Sequence, residues 1–464
     1  MVIASREVQM LTDLELMAHL YRRAGFGATR DELDAALARG YEATVDELVH
    51  PERVKPLDHW LMWRYYVDIK ELKQSECGEA YFVYRMINSP RPLEEKLTLF
   101  FHGLFATAWS KVAITKTLCN QLDMFRENCL GDYRTLLVKM ARDPTMIFWL
   151  DNQMNTNEAP NENFGRELLE LFSMGIGNYS ERDVKECARA FTGWGLENTI
   201  PGVQPFGRFD WQYRFWPERH DYGEKTFLGE TGTFDGEDVI EIIVRQPATA
   251  RFVAAKLYDF FVSDTPDETA IGELAEVFMQ TDGNLRAMMK HLFLADWFRS
   301  DQAYYAKVKG GVEHVVSVAR LVGDFGEPAW GINSLALECM YVGQQLLNPP
   351  SVEGWHTGTE WIDTGILVER INFAAAQVGD VSKPGIRRIV ERLRSRRDLS
   401  PEQLVDGCLE LIGPLRVLDR NRSSLIRHAE EGGPVRWEDD PVAAEQRVGE
   451  MLQVIVATRE YQFA

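Results

Sequence analysis

Residues 29–40 read Thr-Arg-Asp-Glu-Leu-Asp-Ala-Ala-Leu-Ala-Arg-Gly and contain every local signal that a short helix needs. Thr29 and Glu32 have the spacing of a capping box, in which each side chain accepts a hydrogen bond from the other residue's backbone amide. Leucine and alanine then recur at the spacing of one helical face, and Gly40 is a typical stop signal. The stretch therefore predicts an amphipathic helix that packs against other helices.

The same signals recur along most of the chain, so we expect a mainly α fold. Ser180 begins another predicted helix that ends before Gly193, and Asp235 begins one that runs to the break at Gln246 and Pro247. Further helices are predicted over residues 57–88, 92–109, 248–263, 268–280, 309–322, 334–347 and 366–378.

Residues 202–232 depart from this helical pattern. Glycine and proline separate short alternating runs there, which predicts a small β-hairpin insertion in the multi-helix domain. Residues 379–385 are rich in turn-forming residues and indicate a connection, beyond which helical signals return. We therefore expect a main helical domain over residues 1–378 and a C-terminal helical subdomain over residues 379–464.

The composition is that of an ordinary folded protein. The 464 residues are 45% hydrophobic and 26% charged. The formal net charge of -20 argues against binding to nucleic acid or to an anionic membrane, which both attract basic surfaces. Six scattered cysteines without a Cys-x-x-Cys pair indicate small buried side chains in a reducing compartment. Without a signal-peptide pattern or a long apolar run, we expect a soluble, cytoplasmic protein.

The first candidate site segment is Pro160–Leu171, Pro-Asn-Glu-Asn-Phe-Gly-Arg-Glu-Leu-Leu-Glu-Leu, which follows an asparagine-rich loop. Asparagine side chains order loops by bonding to the backbone, and such order indicates a use. Glu162, Glu167 and Glu170 are acid–base candidates, and Arg166 is a candidate anion holder. Because these charges share one helical face, an ordinary solvated surface remains an open interpretation.

The second candidate segment is the loop His220-Asp221-Tyr222-Gly223-Glu224-Lys225. We expect His220 to act as a base oriented by Asp221, and Lys225 to meet an anion on the substrate. The alternative is a surface turn that a hydrogen bond between His220 and Asp221 ties down. Aromatic residues around this loop either form a ligand-stacking wall or the insertion's own small core.

Two further segments add ligand-facing candidates. Trp194 closes the string Ala188-Arg189-Ala190-Phe191-Thr192-Gly193-Trp194, and Trp355 and His356 follow the rigid pair Pro349-Pro350. No metal site is predicted, because no histidine has a helical Glu-x-x-His or His-x-x-x-His partner. The stretch 22–27, Arg-Arg-Ala-Gly-Phe-Gly, contains glycines but no preceding strand, so a phosphate-cradling loop is not expected there.

In order and spacing, these segments resemble the bacterial family catalogued as domain of unknown function 1800. The resemblance covers nearly the whole chain and rests on residues 22–27, 101–102, 160–171, 188–194, 220–229, 349–355 and 370–373 and on the ending Glu460-Tyr461-Gln462. It implies family membership but no established catalytic residues, so the chemistry of the site rests on the residues themselves.

Two hypotheses about function follow. The first is a hydrolase or group-transfer enzyme that acts on a polar, carbohydrate-like small molecule in a cleft between the helical domain and the β insertion. The second is a non-enzymatic binding or assembly protein, whose polar cleft recognises a partner protein or a glycan. The sequence indicates no particular cofactor, and neither hypothesis involves nucleic acid or membrane.

Overall fold

Helices dominate the computed structural model, which describes residues 11–58, 75–198 and 211–464. Those residues form 22 α-helices and two small two-stranded sheets, which confirms the prediction of a mainly α fold. The helices are α1 Asp13–Arg23, α2 Arg30–Arg39, α3 Tyr41–Leu48, α4 Glu76–Asn88, α5 Pro92–Leu104, α6 Trp109–Val112, α7 Thr115–Asn128, α8 Tyr133–Ala141, α9 Pro144–Trp149, α10 Asn163–Glu170, α11 Glu181–Ala190, α12 Gly236–Val244, α13 Pro247–Phe261, α14 Glu268–Gln280, α15 Leu285–Leu294, α16 Gly311–Val322, α17 Trp330–Tyr341, α18 Thr364–Val378, α19 Pro384–Arg394, α20 Pro401–Leu411, α21 Asp419–Glu431 and α22 Pro441–Val456.

The helix signals act as the sequence predicts. Thr29 caps α2 and forms the capping box with Glu32, and Gly40 ends the helix with a φ of 94°. Ser180 caps α11 in the same way, and Asp235 caps α12. These bonds join residues two or three positions apart, so the local sequence is sufficient to specify them.

Several helices are shorter than the predicted ranges. Helix α5 ends at Leu104 rather than residue 109, and α17 ends at Tyr341, just before Gly343 turns the chain with a φ of 90°. Of the helix predicted over residues 57–88, the described part is α4, and residues 59–74 lie outside the description. Helix ends are decided by turn contacts, which periodicity alone does not locate.

The β insertion consists of two antiparallel pairs. Strand β1 (Trp194–Asn198) pairs with β2 (Trp211–Phe215), with Trp194 opposite Phe215. Strand β3 (Lys225–Phe227) pairs with β4 (Glu230–Gly232). The insertion therefore begins at Trp194, before the predicted residue 202, because this tryptophan enters a strand directly after the turn that follows α11.

The apolar core continues from the N-terminal helices into the C-terminal ones. Charged contacts also join the two ends of the chain, because Arg416 pairs with Glu15 and Arg392 lies 3.0 Å from Asp34. The division at residue 378 stays a prediction. All six cysteines are free and five are buried, as the sequence indicates. Among the described residues, no helix is long and apolar enough to cross a membrane.

Candidate functional site

Asparagine side chains draw three of the predicted site segments together. Asn155 donates from Nδ2 to the carbonyl of Ala188 at 2.8 Å, and its Oδ1 accepts from the amide of Asn161 at 2.9 Å. The carbonyl of Asn155 accepts from the amide of Gly193 at 3.1 Å. One buried residue therefore fixes the start of α10 against the end of α11, and side-chain amides satisfy the loop's backbone groups as the sequence predicts.

The same loop reaches the His220 segment. The amide of Asn157 donates to the carbonyl of Arg219 at 2.8 Å, and Asn152 donates from Nδ2 to the carbonyl of Trp194 at 2.9 Å. Asn163 donates to the carbonyl of Leu150 at 3.1 Å, which anchors the first turn of α10. The three segments are thus neighbours through their backbones, although they are far apart in the sequence.

Arg166 is held between two carboxylates on the surface of α10 and α11. Its guanidinium donates to both oxygens of Glu181 at 2.8 Å and to Glu162 at 3.2 Å. The hydrogen bonds to Glu181, more than the charge of Glu162, raise the pKa of Arg166. Arg166, predicted to hold an anion of the substrate, is therefore already paired with two carboxylates of this chain.

Glu167 and Glu170 lie on the next part of the same helical face. Burial of the half-buried Glu167 raises the pKa of its carboxyl group, and the charges of Glu170 and Glu353 raise it further. Glu170 accepts a hydrogen bond from the hydroxyl of Tyr179 at 3.0 Å. Glu353 comes from the loop after Pro349-Pro350, so the charge of this loop acts on a carboxyl group of α10.

The loop after Pro349-Pro350 lies against the end of α5. Gly354 has a φ of 90°, and a Cβ at this position would collide with the carbonyl oxygen of Gly103. Trp355 lies with its ring centroid 5.1 Å from that of His102, edge to face. His356 is exposed and pairs with Glu360 at 2.8 Å. Trp355 therefore faces the domain, whereas His356 points into solvent.

His102 is a core histidine. Its Nε2 accepts a hydrogen bond from the amide of Leu347 at 3.0 Å, and burial lowers its pKa to about 3. The imidazole is therefore neutral over the physiological range and positions the chain that leads into the Trp355 loop.

His220 is buried, and its orientation is fixed by Thr192. Its Nδ1 donates to the carbonyl of Thr192 at 2.8 Å, which leaves Nε2 as the hydrogen-bond acceptor of the neutral ring. The rings of Phe215 and Tyr222 pack against it edge to face, at 5.4 and 4.7 Å between centroids. The orienting partner of His220 is thus the backbone carbonyl of Thr192, two residues beyond the end of α11, instead of the expected carboxylate of Asp221.

Asp221 is paired with an arginine that the sequence did not single out. Arg189 donates to its two carboxylate oxygens at 2.7 and 3.3 Å, and these bonds lower the pKa of Asp221. Lys225 is buried and donates to the carbonyls of Asp221 at 2.6 Å and Gly223 at 3.1 Å. Burial lowers the pKa of Lys225. Both side chains therefore hold the turn in shape.

Trp194 belongs to the small core of the insertion. Its ring is buried and packs against Phe191 at 5.0 Å and Tyr213 at 5.4 Å, and the guanidinium of Arg142 lies 5.2 Å from its centroid. This arrangement agrees with the alternative in which the aromatic residues stabilise the insertion itself.

The predicted site residues therefore fall into two groups. Glu162 and Arg166 meet Glu181 at the start of α11, while Asp221 meets Arg189 near its end, and eight residues of helix span about 12 Å. Within the described ranges, no hydrogen bond or ion pair joins His220 or Asp221 to Glu167 or Glu170. Arg189, Thr192 and Glu353 were not predicted as site residues, although the first two lie in the string Ala188–Trp194 and Glu353 lies within residues 349–355.

These features define a mainly α-helical protein with a polar centre that asparagine side chains organise between α10, α11 and a small β insertion. The chain belongs to the family described as protein of unknown function (DUF1800), whose model matches residues 19–463. No curated protein and no solved structure matches the chain. In the part of the chain that the structure describes, no three His, Cys, Asp or Glu side chains are grouped as metal ligands would be.

Proposed function

We propose that the chain is an acid–base enzyme, a hydrolase or group-transfer enzyme acting on a polar, carbohydrate-like small molecule. The observation that carries the proposal is the carboxyl group of Glu167, whose pKa is raised by burial and by Glu170 and Glu353. A carboxyl group that keeps its proton nearer neutral pH can donate it to a leaving group, which a freely ionised one cannot.

The surroundings of Glu167 support this role. Arg166, the cation on the same helix, is paired with Glu162 and Glu181. Its charge lowers the pKa of Glu167, but by less than burial and the neighbouring carboxylates raise it. Acid–base hydrolysis needs a second carboxylate, and either Glu170 or Glu353 can serve as that group. Trp355, on the loop that carries Glu353, is only partly buried against His102, and the exposed part of its ring is of the kind that stacks on sugars.

His220 is the proposed base of the second group. With Nδ1 donating to Thr192, its Nε2 can accept a proton. Arg189, Asp221 and Lys225 act as positioning residues, because their bonds to the turn fix where His220 lies. The six free cysteines support a reducing compartment such as the cytoplasm.

A binding or assembly protein is the second candidate, and a specific observation favours it. Arg166, Asp221 and Lys225 already have partners within the chain, so the surface is preformed and its charges are compensated. Such a rigid polar surface recognises a glycan or a partner protein without chemistry.

The titration of Glu167 distinguishes the two candidates. Carbon-13 NMR of the glutamate carboxyl groups, with the Glu167 signal assigned from its loss in Glu167→Gln, should show this group titrating above the ordinary glutamate range. An ordinary or lower titration point would contradict the enzyme proposal, because Glu167 would then be ionised and unable to act as the acid.

Activity provides the second test. In a panel of nitrophenyl glycosides and esters, Glu167→Gln should lower the turnover number roughly 100-fold or more, the usual contribution of a general acid. Glu158→Gln is the matched control, because Glu158 is exposed in the neighbouring loop. Equal turnover by wild type, Glu167→Gln and His220→Ala would show that these residues do not carry the chemistry.

A further inference from the structure

A cavity of about 60 Å³ lies where the first and last segments of the chain meet. Helix α1, helix α16, the turn after α20 and the C-terminal residues surround it. Its lining residues include Arg22, Lys309, Arg320, Gly413 and Tyr461. None of them belongs to the group around Glu167 or to the group around His220.

The charge of this cavity is opposite to that of the protein. Three lining residues, Arg22, Lys309 and Arg320, are cations, and none is an aspartate or glutamate, although the whole chain has a net charge of -20. Arg320 is occupied, since it donates to Glu32 at 2.8 Å and to the carbonyl of Ile87 at 2.6 Å. Arg22 and Lys309 have no carboxylate partner among the described residues.

Arg22 has donors to spare. Its Nη1 donates to the carbonyl of Gly413 at 3.2 Å, while Nε and Nη2 are buried without an acceptor in the described part of the chain. The rings of Tyr304 and Tyr305 flank the guanidinium, with centroids at 4.9 and 5.3 Å, and restrict its position. A buried charged donor without an acceptor is costly, so it indicates a missing partner.

Lys309 adds a second basic side chain with unused hydrogen-bond donors. Its ammonium donates to the carbonyl of Tyr461 at 2.8 Å and lies 4.2 Å from the centroid of that ring. Behind it, Arg370 is buried and has an Nη2 without an acceptor among the described residues. The nearby carboxylate of Glu313 is already paired with Lys96. Burial, together with Arg22 and Arg370, lowers the pKa of Lys309 well below its ordinary value.

We propose that this cavity is a binding site for a small oxyanion, with phosphate preferred over carboxylate. Arg22 and Lys309 would donate to it, because both line the cavity and lack a carboxylate partner. Arg22 has free N–H groups on Nε and Nη2, and Lys309 has further free N–H groups. A carboxylate has only two oxygens to accept these hydrogen bonds, whereas a phosphate has more, so phosphate fits the donors better.

The size of the cavity agrees with this ligand. A single water needs roughly 10–15 Å³ of such space, so a cavity of about 60 Å³ holds a group of four or five heavy atoms. The anion would contact both the N-terminal helix and the C-terminal residues. It would therefore stabilise the contact between the two ends of the chain, since a ligand that binds only the folded state raises the stability of the protein.

The first test uses the unmodified protein. Thermal unfolding is followed in millimolar sodium phosphate, sodium sulfate and sodium acetate, each against sodium chloride at the same ionic strength, and calorimetric titration measures the binding of inorganic phosphate. We expect one phosphate per chain and a rise in Tm that is larger with phosphate than with acetate. No phosphate binding by calorimetry would overturn the proposal, and tighter binding of acetate would overturn the preference.

Variants then locate the site. Arg22→Met and Lys309→Met should each weaken phosphate binding at least tenfold, as expected for the loss of a charge-assisted contact. Arg388→Met is the matched control, because Arg388 lines the adjacent small cavity, which contains Asp31 and Arg392. If one variant fails to fold, the other still reports on the site. Unchanged phosphate binding in either folded variant would place the anion elsewhere.

Discussion

Two buried clusters of cations in this protein differ in one respect. Around Glu95, which is fully buried, Arg85 donates at 2.9 Å and Arg126 at 3.1 Å, so the two arginines share a carboxylate. Around the cavity, Arg22 and Lys309 contact backbone carbonyls and tyrosine side chains, and in the described part of the chain neither has a carboxylate within ion-pairing distance. The two clusters resemble each other in composition, and the presence or absence of a carboxylate separates them.

This difference separates the charges that stabilise the fold, those of Arg85 and Arg126, from the side chains for which we propose an anion ligand, Arg22 and Lys309. Breaking a buried ion pair is costly because the remaining partner keeps its charge without compensation, whereas replacing an uncompensated cation removes a cost. The Glu95 cluster should therefore lose stability when any member is changed. The cavity cluster should lose anion binding instead.

The largest expected effect is that of Glu95→Gln. The substitution keeps the shape of the side chain but leaves Arg85 and Arg126 without their carboxylate, so the free energy of unfolding should fall by about 3–5 kcal/mol. Urea denaturation measures it, and Glu158→Gln, at an exposed position, should change stability by less than about 0.5 kcal/mol. A loss of that small size for Glu95→Gln would contradict the structural role of the cluster.

A matched pair of arginine substitutions compares the clusters directly. In chloride buffer without phosphate, Arg85→Met should lower the free energy of unfolding by about 2–4 kcal/mol, because it breaks a buried pair. Arg22→Met should lower it by less than about 1 kcal/mol, since no buried carboxylate loses its partner. Urea denaturation of both variants decides the matter: equal losses would mean that Arg22 is as structural as Arg85.

The pH dependence of stability gives a further comparison. Burial pushes the pKa of Glu95 upward, but Arg126 and Arg85 outweigh it and lower the pKa below its ordinary value. Lys96 likewise outweighs burial at Glu313, whose pKa falls to about 2. Because the unfolded chain then binds more protons, stability is full above the unfolded pKa and is lost as pH falls through the folded pKa.

Wild-type stability should therefore decline as the pH falls from about 4.5 toward 2, with a slope of up to about 1.4 kcal/mol per pH unit for each carboxylate. Glu95→Gln should show a shallower decline just below pH 4.5, because one titrating group is gone. Urea denaturation at several pH values measures both slopes. Parallel curves for wild type and variant would show that Glu95 has an ordinary pKa.

The smallest expected effect is that of Arg166→Met. Arg166 pairs with Glu162 and Glu181 at a half-exposed position, where solvent screens the charges, so the loss of stability should be about 1 kcal/mol or less. Thermal unfolding at low and high salt measures it, and the difference from wild type should shrink in high salt. A loss as large as that of Arg85→Met would remove the distinction between exposed and buried pairs.

The sequence predicted those features that depend on neighbouring residues. The capping boxes at Thr29 and Ser180 are correct because each is closed by a residue three positions later. The asparagine-rich loop is ordered as expected, because asparagine amides reach nearby backbone groups. Three of the strings that carry the family resemblance, at residues 160–171, 188–194 and 220–229, are joined through the backbone of this loop.

The sequence could not predict the partner of each charge. Asp221 was expected to orient His220, but Arg189, 32 residues away, takes its carboxylate. The cavity beside Arg22 was not predicted, because its lining side chains come from distant segments of the chain. The charge of Glu353, which raises the pKa of Glu167, comes from a loop that local patterns describe only as a turn.

The sequence by itself determined a mainly α protein with a small β insertion, because caps, turns and helical periodicity act within a few residues. The tertiary structure decided which charges are compensated and which are left over. Arg22, for example, meets the carbonyl of Gly413 across 391 positions of the chain. Charges act over distances in space, and only the folded chain brings residues so far apart in sequence within hydrogen-bonding distance.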